Sequence, residues 1–409
     1  MKCVLANPNV APHIRHSLLA YYESSNLKRF YTGFYYNPRG LVNRLVEKTF
    51  PAVGKELNRR SIREVPHTVI KSRPLPELLR VFSMRKLNAA ISDSIWEWSE
   101  IGFDRWVASQ LAKDISWVHT CEHAGLATLE KAKKLNVMSV YEQPSQHHAF
   151  FTEIVHRQLK AYPEFKKDEF NLMVDKNAVR RNKRRDQELH TADWVLCNSG
   201  FTKATLLNAG ISEHKIMTIP LGFPEVKQME TRTCGEKVVF LYAGNLSLRK
   251  GIHILLQAWK EEAPEKAELW LVGRKALPDV FFHDLPNNVR LFPNVPHAEL
   301  MQMYQQANVF ILPTLADGFG MVLTEAMSCG LPVITTFNSG GPDLIDHEKE
   351  GLLIAAEEKE AVKESIRWCM HNQNNLPEMG RKAAIKASAY PWAAYRKKLI
   401  ADIVYRVKQ

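Results

Sequence analysis

Short apolar runs of strand length alternate along this chain with longer stretches whose apolar positions recur at helical spacing, the pattern of parallel α/β sheets. In the first half, Cys3–Ala6, Val65–Val69, Trp117–Thr120, Met138–Tyr141 and Trp194–Asn198 are the expected strands. In the second half they are Val238–Ala243, Glu268–Val272, Val289–Phe292, Val309–Pro313, Pro332–Thr336 and Gly351–Ile354. Between the sets lies the turn-rich Ile219–Pro224 and a polar stretch to Lys237, which reads as a linker. The expected fold class is α/β: two doubly wound Rossmann-like domains, residues 1–224 and 225–389, facing across a cleft. Ligands in such sheets bind beyond the carboxyl ends of the strands. Residues 390–409 carry the apolar spacing of a helix.

Composition narrows the class. With 409 residues, 45% of them hydrophobic and 24% charged, the chain is long enough for two or three soluble globular domains. No apolar run approaches the roughly 20 residues that span a bilayer. The opening run ends at Asn7-Pro8-Asn9, too short for a secretory signal, so a cytoplasmic location is expected. Cys3, Cys121, Cys197, Cys234, Cys329 and Cys369 include no C-x-x-C pair, which argues against a disulfide framework or a structural metal.

A net charge of +11 points to an anionic partner. Basic residues are concentrated in Lys176–Arg185, and a second set, Arg39, Arg44, Lys48, Lys55, Arg59, Arg60 and Arg63, is interleaved with apolar and aromatic residues. The second set reads either as a peripheral hold on an anionic membrane surface or as a solvated helix face. No nucleic-acid module accompanies these charges, so nucleic acid is not expected as a partner.

The densest chemistry lies between Asp317 and Gly341, DGFGMVLTEAMSCGLPVITTFNSGG. The Gly318-Phe319-Gly320 turn can bring backbone N–H groups close to a phosphate, because glycine accepts positive φ and has no side chain to block approach. A helix starting at Met321 adds the favourable end of its dipole. Glu325, about one turn inside, can accept a hydrogen bond from a sugar or ribose hydroxyl. A second segment, Val238–Trp259, runs strand, Gly244, loop and amphipathic helix, and it puts Arg249 and Lys250 at the mouth of the cleft, where two cations suit a diphosphate.

The D-G-F-G-x4-E-A-M-x-x-G-x-P-V-I pattern resembles the donor-site segment of family 4 glycosyltransferases, which have the GT-B fold and are mostly retaining. That family usually has Glu at the first acidic position; here it is Asp317. The resemblance extends through Val238–Trp259. It implies that Lys250 contacts the diphosphate, with Asn245 standing where many members have a basic residue; Arg249 is placed either to compensate or to point into solvent. It further implies that the backbone nears the nucleotide at Gly244 and Gly273, and that the Phe292–Pro296 loop, with Val295, lines the base pocket. Many relatives have a donor-touching histidine after the strand Trp117–Thr120. Gapless reading puts Cys121 there and a short shift puts His123 there, with Glu122 either a sugar-hydroxyl acceptor or a helix cap. The Pro8–Pro12 loop is expected at the acceptor, and Gln143–His148 and Asn198–Thr202 at the cleft edge. The C-terminal helix resembles the family segment that returns to the first domain.

The expected activity is retaining transfer of a sugar from a nucleotide-diphosphate-sugar donor to a hydroxyl of a glycan, lipid-linked or small acceptor. The donor is a co-substrate, and no metal or other cofactor is expected. Lys250 and Arg249 would neutralise the departing diphosphate, Asp317 would hold sugar hydroxyls, and Glu325 the ribose. Lys250→Ala or Glu325→Ala should remove most turnover and leave the fold intact. Rival readings are a GT-B nucleotide-sugar epimerase and a catalytically silent sugar-nucleotide-binding protein. A nicotinamide dehydrogenase fits poorly, because Asn7-Pro8-Asn9 is no glycine fingerprint.

Overall fold

The structure, a computed structural model, describes residues 1–409 apart from 38–39, 41–47, 50–56, 59, 166–169, 171 and 227–234. Two all-parallel sheets form the frame. The first contains β1 (Cys3–Ala6), β2 (Leu27–Thr32), β3 (Ile70–Ser72), β4 (Trp117–Cys121), β5 (Met138–Gln143), β6 (Trp194–Cys197) and β7 (Ile216–Thr218), in the order β3-β2-β1-β4-β5-β6-β7. The second contains β8 (Val238–Ala243), β9 (Ala267–Val272), β10 (Val289–Phe292), β11 (Val309–Leu312), β12 (Val333–Thr336) and β13 (Gly351–Ile354), in the order β10-β9-β8-β11-β12-β13. Each order reverses direction once, between β1 and β4 in the first sheet and between β8 and β11 in the second, the signature of doubly wound sheets whose ligands sit at the reversal.

The central strands are buried along their whole length, as in Trp117–Cys121 and Val309–Leu312, because helices cover both faces of a parallel sheet. That double coverage explains why their sequences read as continuous apolar runs. Two strands escape that signal. β2 carries Lys28 and Arg29 in its half-buried first part, and β7 is only three residues long. A third is displaced: His67–Val69 forms a 3₁₀ turn, and pairing with β2 starts at Ile70.

Helix starts follow local chemistry. Asn88, Asp175 and Ser199 each accept a backbone N–H of the first turn of the helix they precede, and Pro12 and Pro74 occupy first-turn positions where no donor is needed. The last helix, Trp392–Val407, packs on helix Pro12–Glu23 of the first domain. There Trp392 stacks on His16 with ring centroids 4.0 Å apart, and the Tyr395 and Ser17 hydroxyls lie 3.1 Å apart.

The cysteines Cys3, Cys121, Cys197, Cys329 and Cys369 are free and buried, while Cys234 lies outside the described residues. Among the described residues no helix is long and apolar enough to cross a membrane.

Candidate functional site

β8 and β11 are neighbours, so the loops that leave their carboxyl ends must run side by side. They are tied by the main chain of Arg249, whose carbonyl accepts from Leu315 N at 2.8 Å and from Thr314 Oγ1 at 3.0 Å. This brings Lys250 and Asp317, 67 residues apart in sequence, into a direct ion pair between Nζ and Oδ2. Both side chains are about 85% removed from solvent, at 15% and 14% exposure. Burial pulls the Lys250 ammonium below its usual range against the pull of Asp317. For Asp317, burial pushes up, yet Lys250, Arg249 and the Phe319 N–H together hold the carboxyl below its usual value.

Beyond Asp317 the chain turns into helix Met321–Ser328. Gly320 precedes it with φ 82°, a conformation costly for any residue with a Cβ, and no side chain caps that helix. The turn is pinned from two sides. Asp317 N donates to Asn338 O at 2.8 Å, and the buried Phe319 accepts from Gly340 N at 3.0 Å through its carbonyl. Gly318 faces the first domain. A Cβ built there would stand 1.9 Å from Pro144 O, and its carbonyl accepts from the hydroxyls of Ser199 and Thr202. Its missing side chain is thus required by close approach of the Gln143–His148 loop.

Glu325 lies on that helix, partly buried, accepting from the Tyr304 hydroxyl at 3.2 Å with His297 Nε2 3.9 Å away. Burial raises its pKa above the usual carboxylate range. Gly273 and the Phe292-Pro293-Asn294 loop, matched only loosely in sequence, prove to share one cavity of about 660 Å³, with Leu246, Arg274, Lys275 and Leu291. Gly244 donates to Val272 O at 2.9 Å, and a Cβ on Gly273 would stand 1.8 Å from Gly244 O, so the two glycines pass backbone against backbone at its floor. Asn245 is exposed beside them, and Val295 packs on the core while Asn294 lines the cavity.

Lys250 and Arg249 are adjacent in the 3₁₀ turn Leu248–Lys250 but serve different spaces. Arg249 lines a cavity of about 680 Å³ with Glu122, Trp96, Ser145, His148 and Arg185, all from the first domain. Glu122 is held by Arg185 Nε at 3.0 Å and by the Ser145 hydroxyl at 3.2 Å. It does not cap helix Leu126–Leu135. Two buried carboxylates from other helices do that, Glu188 accepting from His123 N, Gly125 N and Leu126 N, and Asp104 from Ala127 N and Thr128 N. His123 is buried at φ 69°, stacked on Trp96 with centroids 4.6 Å apart. Burial, then Arg185 and the other arginines of its neighbouring helix, lower its pKa to about 3, so its imidazole is neutral and poorly suited to hold a proton. Cys121 is buried at the end of β4.

At the reversal of the first sheet the Pro8 carbonyl accepts from Gly33 N and the Thr32 hydroxyl, fixing the loop expected at the acceptor. Close by in the fold is a group the sequence reading passed over. Glu142 at the end of β5 is fully buried between His119 Nε2 at 3.3 Å and His13 Nε2 at 3.7 Å, and His119 Nδ1 meets the Tyr21 hydroxyl at 2.7 Å. Residues from β4, β5 and the first helix build it, so no local motif announces it.

The basic run Lys176–Arg185 is only partly a free surface: Lys176, Arg180 and Lys183 are exposed, while its arginines are paired. In helix Lys176–Thr191, Arg180 pairs with Glu97 and Arg181 with Asp93, each at 2.5 Å, Arg184 with Asp104, and Arg185 with Glu122. These arginines tie first-domain helices together, so much of the charge concentrated in that run is paired within the chain. Of the second basic set, Arg39, Arg44, Lys55 and Arg59 lie outside the described residues. Arg60 is bound to the buried Glu77 at 2.7 Å, while Lys48 and Arg63 are exposed. Among the described residues, one trio has metal-ligand geometry, His147, His148 and Asp186, with ligand atoms within 4.8 Å of one another. His147 Nδ1, however, accepts from Ala149 N at 3.2 Å and serves as a helix cap.

Residues 227–387 match the family model described as glycosyl transferases group 1. The sulfoquinovosyl transferase SQD2 of Arabidopsis thaliana is 27% identical over 175 residues, covering 40% of this chain and 32% of its own length. The D-inositol 3-phosphate glycosyltransferase of Pseudarthrobacter chlorophenolicus is 28% identical over 167 residues, covering 37% and 39%. The chain thus spans about a third of the length of these curated relatives. Solved structures extend the likeness over the whole chain at the level of fold. HepE of Anabaena, in complex with UDP and glucose, superposes with TM-score 0.60 at 16% identity over 99% of this chain and 100% of its own. Sucrose-phosphate synthase of Thermosynechococcus elongatus gives 0.64 at 18% over 99% and 98%. The architecture is GT-B.

Proposed function

We propose, from the match of residues 227–387 to the family model of group 1 glycosyl transferases, that the chain is a retaining glycosyltransferase using a nucleotide-diphosphate-sugar donor and a hydroxyl acceptor on a glycan or lipid-linked molecule. The observation that carries this reading is the Lys250–Asp317 pair at the β8/β11 reversal, beside the uncapped start of helix Met321–Ser328. A diphosphate entering there competes with Asp317 for the ammonium and is favoured by the helix end. Asp317, released, accepts hydrogen bonds from sugar hydroxyls.

The chemistry then needs charge stabilisation at the leaving group more than a nucleophile from the protein. The acceptor oxygen bonds to the anomeric carbon from the leaving-group face as the bond from that carbon to the phosphate oxygen breaks. The electron pair goes to the diphosphate, whose oxygen also takes the acceptor proton. Lys250, with Arg249 at the interdomain face, neutralises the charge that develops, and no metal ion is used in this scheme. Two carboxylates flanking the sugar, as in a glycosidase, are not needed, because Asp317 is already committed on the donor side. Glu325 would accept from the ribose hydroxyls, and the Gly273–Asn294 cavity would take the base. The 680 Å³ cavity on the other side of Arg249 would take the acceptor, and an anionic membrane surface fits a lipid-linked one.

A thermal-shift series with nucleoside diphosphates tests the reading directly, since a ligand that binds only the folded state raises the melting temperature. UDP, which the HepE structure holds, is the first to try. A shift with one diphosphate, lost in Glu325→Ala, is the expected result. Absence of any shift across the panel would overturn the site. Product formed from donor alone would identify an epimerase.

A further inference from the structure

Helix Pro74–Lys86 is built inside out. Its buried positions are Pro76, Glu77 and Ser83, and Glu77 is locked there by Arg60 and Arg80, each within 2.7 Å. Its outward positions are apolar: Leu75 is 73% exposed, Leu78 47%, Leu79 52% and Phe82 57%. Residues 75, 78, 79 and 82 follow i, i+3, i+4, i+7, one continuous stripe on one face. After the exposed Leu87 comes helix Ala89–Gln110, packed against helix Pro74–Lys86, where Ile91 and Trp98, seven residues apart, are exposed and line a shallow groove with Ile95. A soluble protein gains by turning such a face inward, yet the ionic anchor at Glu77 holds it outward.

We infer that this face docks on an anionic lipid bilayer. The exposed charged residues of 71–98 are Lys71, Arg73, Arg85 and Lys86, all basic. The acids of the same stretch are withdrawn, Glu77 and Glu97 being buried and Asp93 bound to Arg181. An apolar stripe with a cationic fringe and a tryptophan is the composition of an interfacial helix, which sinks its apolar face among acyl chains while anionic headgroups neutralise the fringe. The charge pattern also decides against a second copy of the chain. A symmetric contact sets the same patch against itself, and here it would oppose basic residues with no exposed acid to answer them. Met84 and Ala89 belong both to this surface and to the lining of the 680 Å³ cavity, so a lipid-linked acceptor lying in the bilayer would find that cavity at the membrane surface. The docking stands without the transferase reading; only this last step rests on it.

Co-sedimentation with vesicles tests it without any turnover assay. The intact chain should bind vesicles of phosphatidylcholine containing about 30% phosphatidylglycerol, and bind pure phosphatidylcholine about tenfold more weakly. Leu79→Ser with Phe82→Ser, and separately Arg85→Glu with Lys86→Glu, should each weaken binding by about tenfold or more. All four side chains are exposed, so the melting temperature should hold. Hydrogen exchange of the unaltered chain on anionic vesicles supplies a second readout, with new protection confined to residues 74–98. Equal binding by the variants, protection elsewhere, or failure of the intact chain to bind would overturn the proposal. So would a dimer in sedimentation velocity that Leu79→Ser with Phe82→Ser abolishes.

Discussion

The Lys250 ammonium and the Asp317 carboxylate form a buried ion pair across two neighbouring loops, joining the residue assigned to the diphosphate with the residue assigned to the sugar. Under the proposed reading, each ligand group would displace a protein group that already holds its place.

Lys250→Ala consequently does more than remove a phosphate contact. It leaves a buried carboxylate unpaired, so stability should fall by about 3 kcal/mol along with turnover, where the sequence alone suggested an unaffected fold. Lys250→Met combined with Asp317→Leu should regain most of that stability in urea titrations while remaining inactive. Full stability in the single variant would mean that the pair carries no weight.

Glu325→Ala removes a side chain that, among the described residues, is held by Tyr304 and, more distantly, His297. Calorimetric affinity for the nucleoside diphosphate should fall by about tenfold or more, the worth of a hydrogen bond to a charged acceptor, with little change in melting temperature. Tyr304→Phe should have a smaller effect in the same direction.

At Gly318→Ala the new methyl would meet the Pro144 carbonyl, main chain that cannot step aside. The Ser199 and Thr202 contacts to residue 318 should break, costing about 3 kcal/mol and enlarging the radius of gyration by X-ray scattering as the domains part. An unchanged scattering profile with full activity would show that the contact is dispensable.

Stability should also respond to pH in two opposed windows. Burial raises Glu100 to about 8 and Glu188 to about 7, so the folded chain holds protons that the unfolded chain releases near 4.5. That contribution is complete below pH 4.5 and is lost as pH rises through about 7 to 8. His123, lowered to about 3 from 6.5, works the other way: its contribution is complete above pH 6.5 and is lost as pH falls toward 3. Denaturant midpoints between about pH 5 and pH 9 should show Glu100→Gln flattening the alkaline limb, and His123→Asn the acid limb between about pH 3 and pH 6.5.

The sequence disclosed what is local. Fully buried parallel strands must be apolar throughout, so β1, β4, β8 and β11 were legible as runs. Close packing of a turn needs glycine, so Gly318 and Gly320 stood out as a motif before any contact was known. Strands β2 and β7, at partly polar or very short segments, gave no such signal. The Gly273–Asn294 cavity lay between, since its pieces were visible separately and their union depended on β9 and β10 lying side by side.

Tertiary structure alone decided which charges are spent. Nothing in the run KNAVRRNKRR tells that its arginines face Asp93, Glu97, Asp104 and Glu122, because those acids come from other elements brought close by the fold. Nor does PLPELLRVFSMRK tell that its glutamate goes in and its leucines out, since an amphipathic period fixes two faces without saying which one meets the core. The sequence by itself therefore determined the buried apolar strands and the glycine motif from Asp317 through the periodicity and conformational needs of neighbouring residues. The orientation of faces and the pairing of charges were decided by burial and electrostatics between residues far apart in the chain, terms that take a value only once the chain is folded.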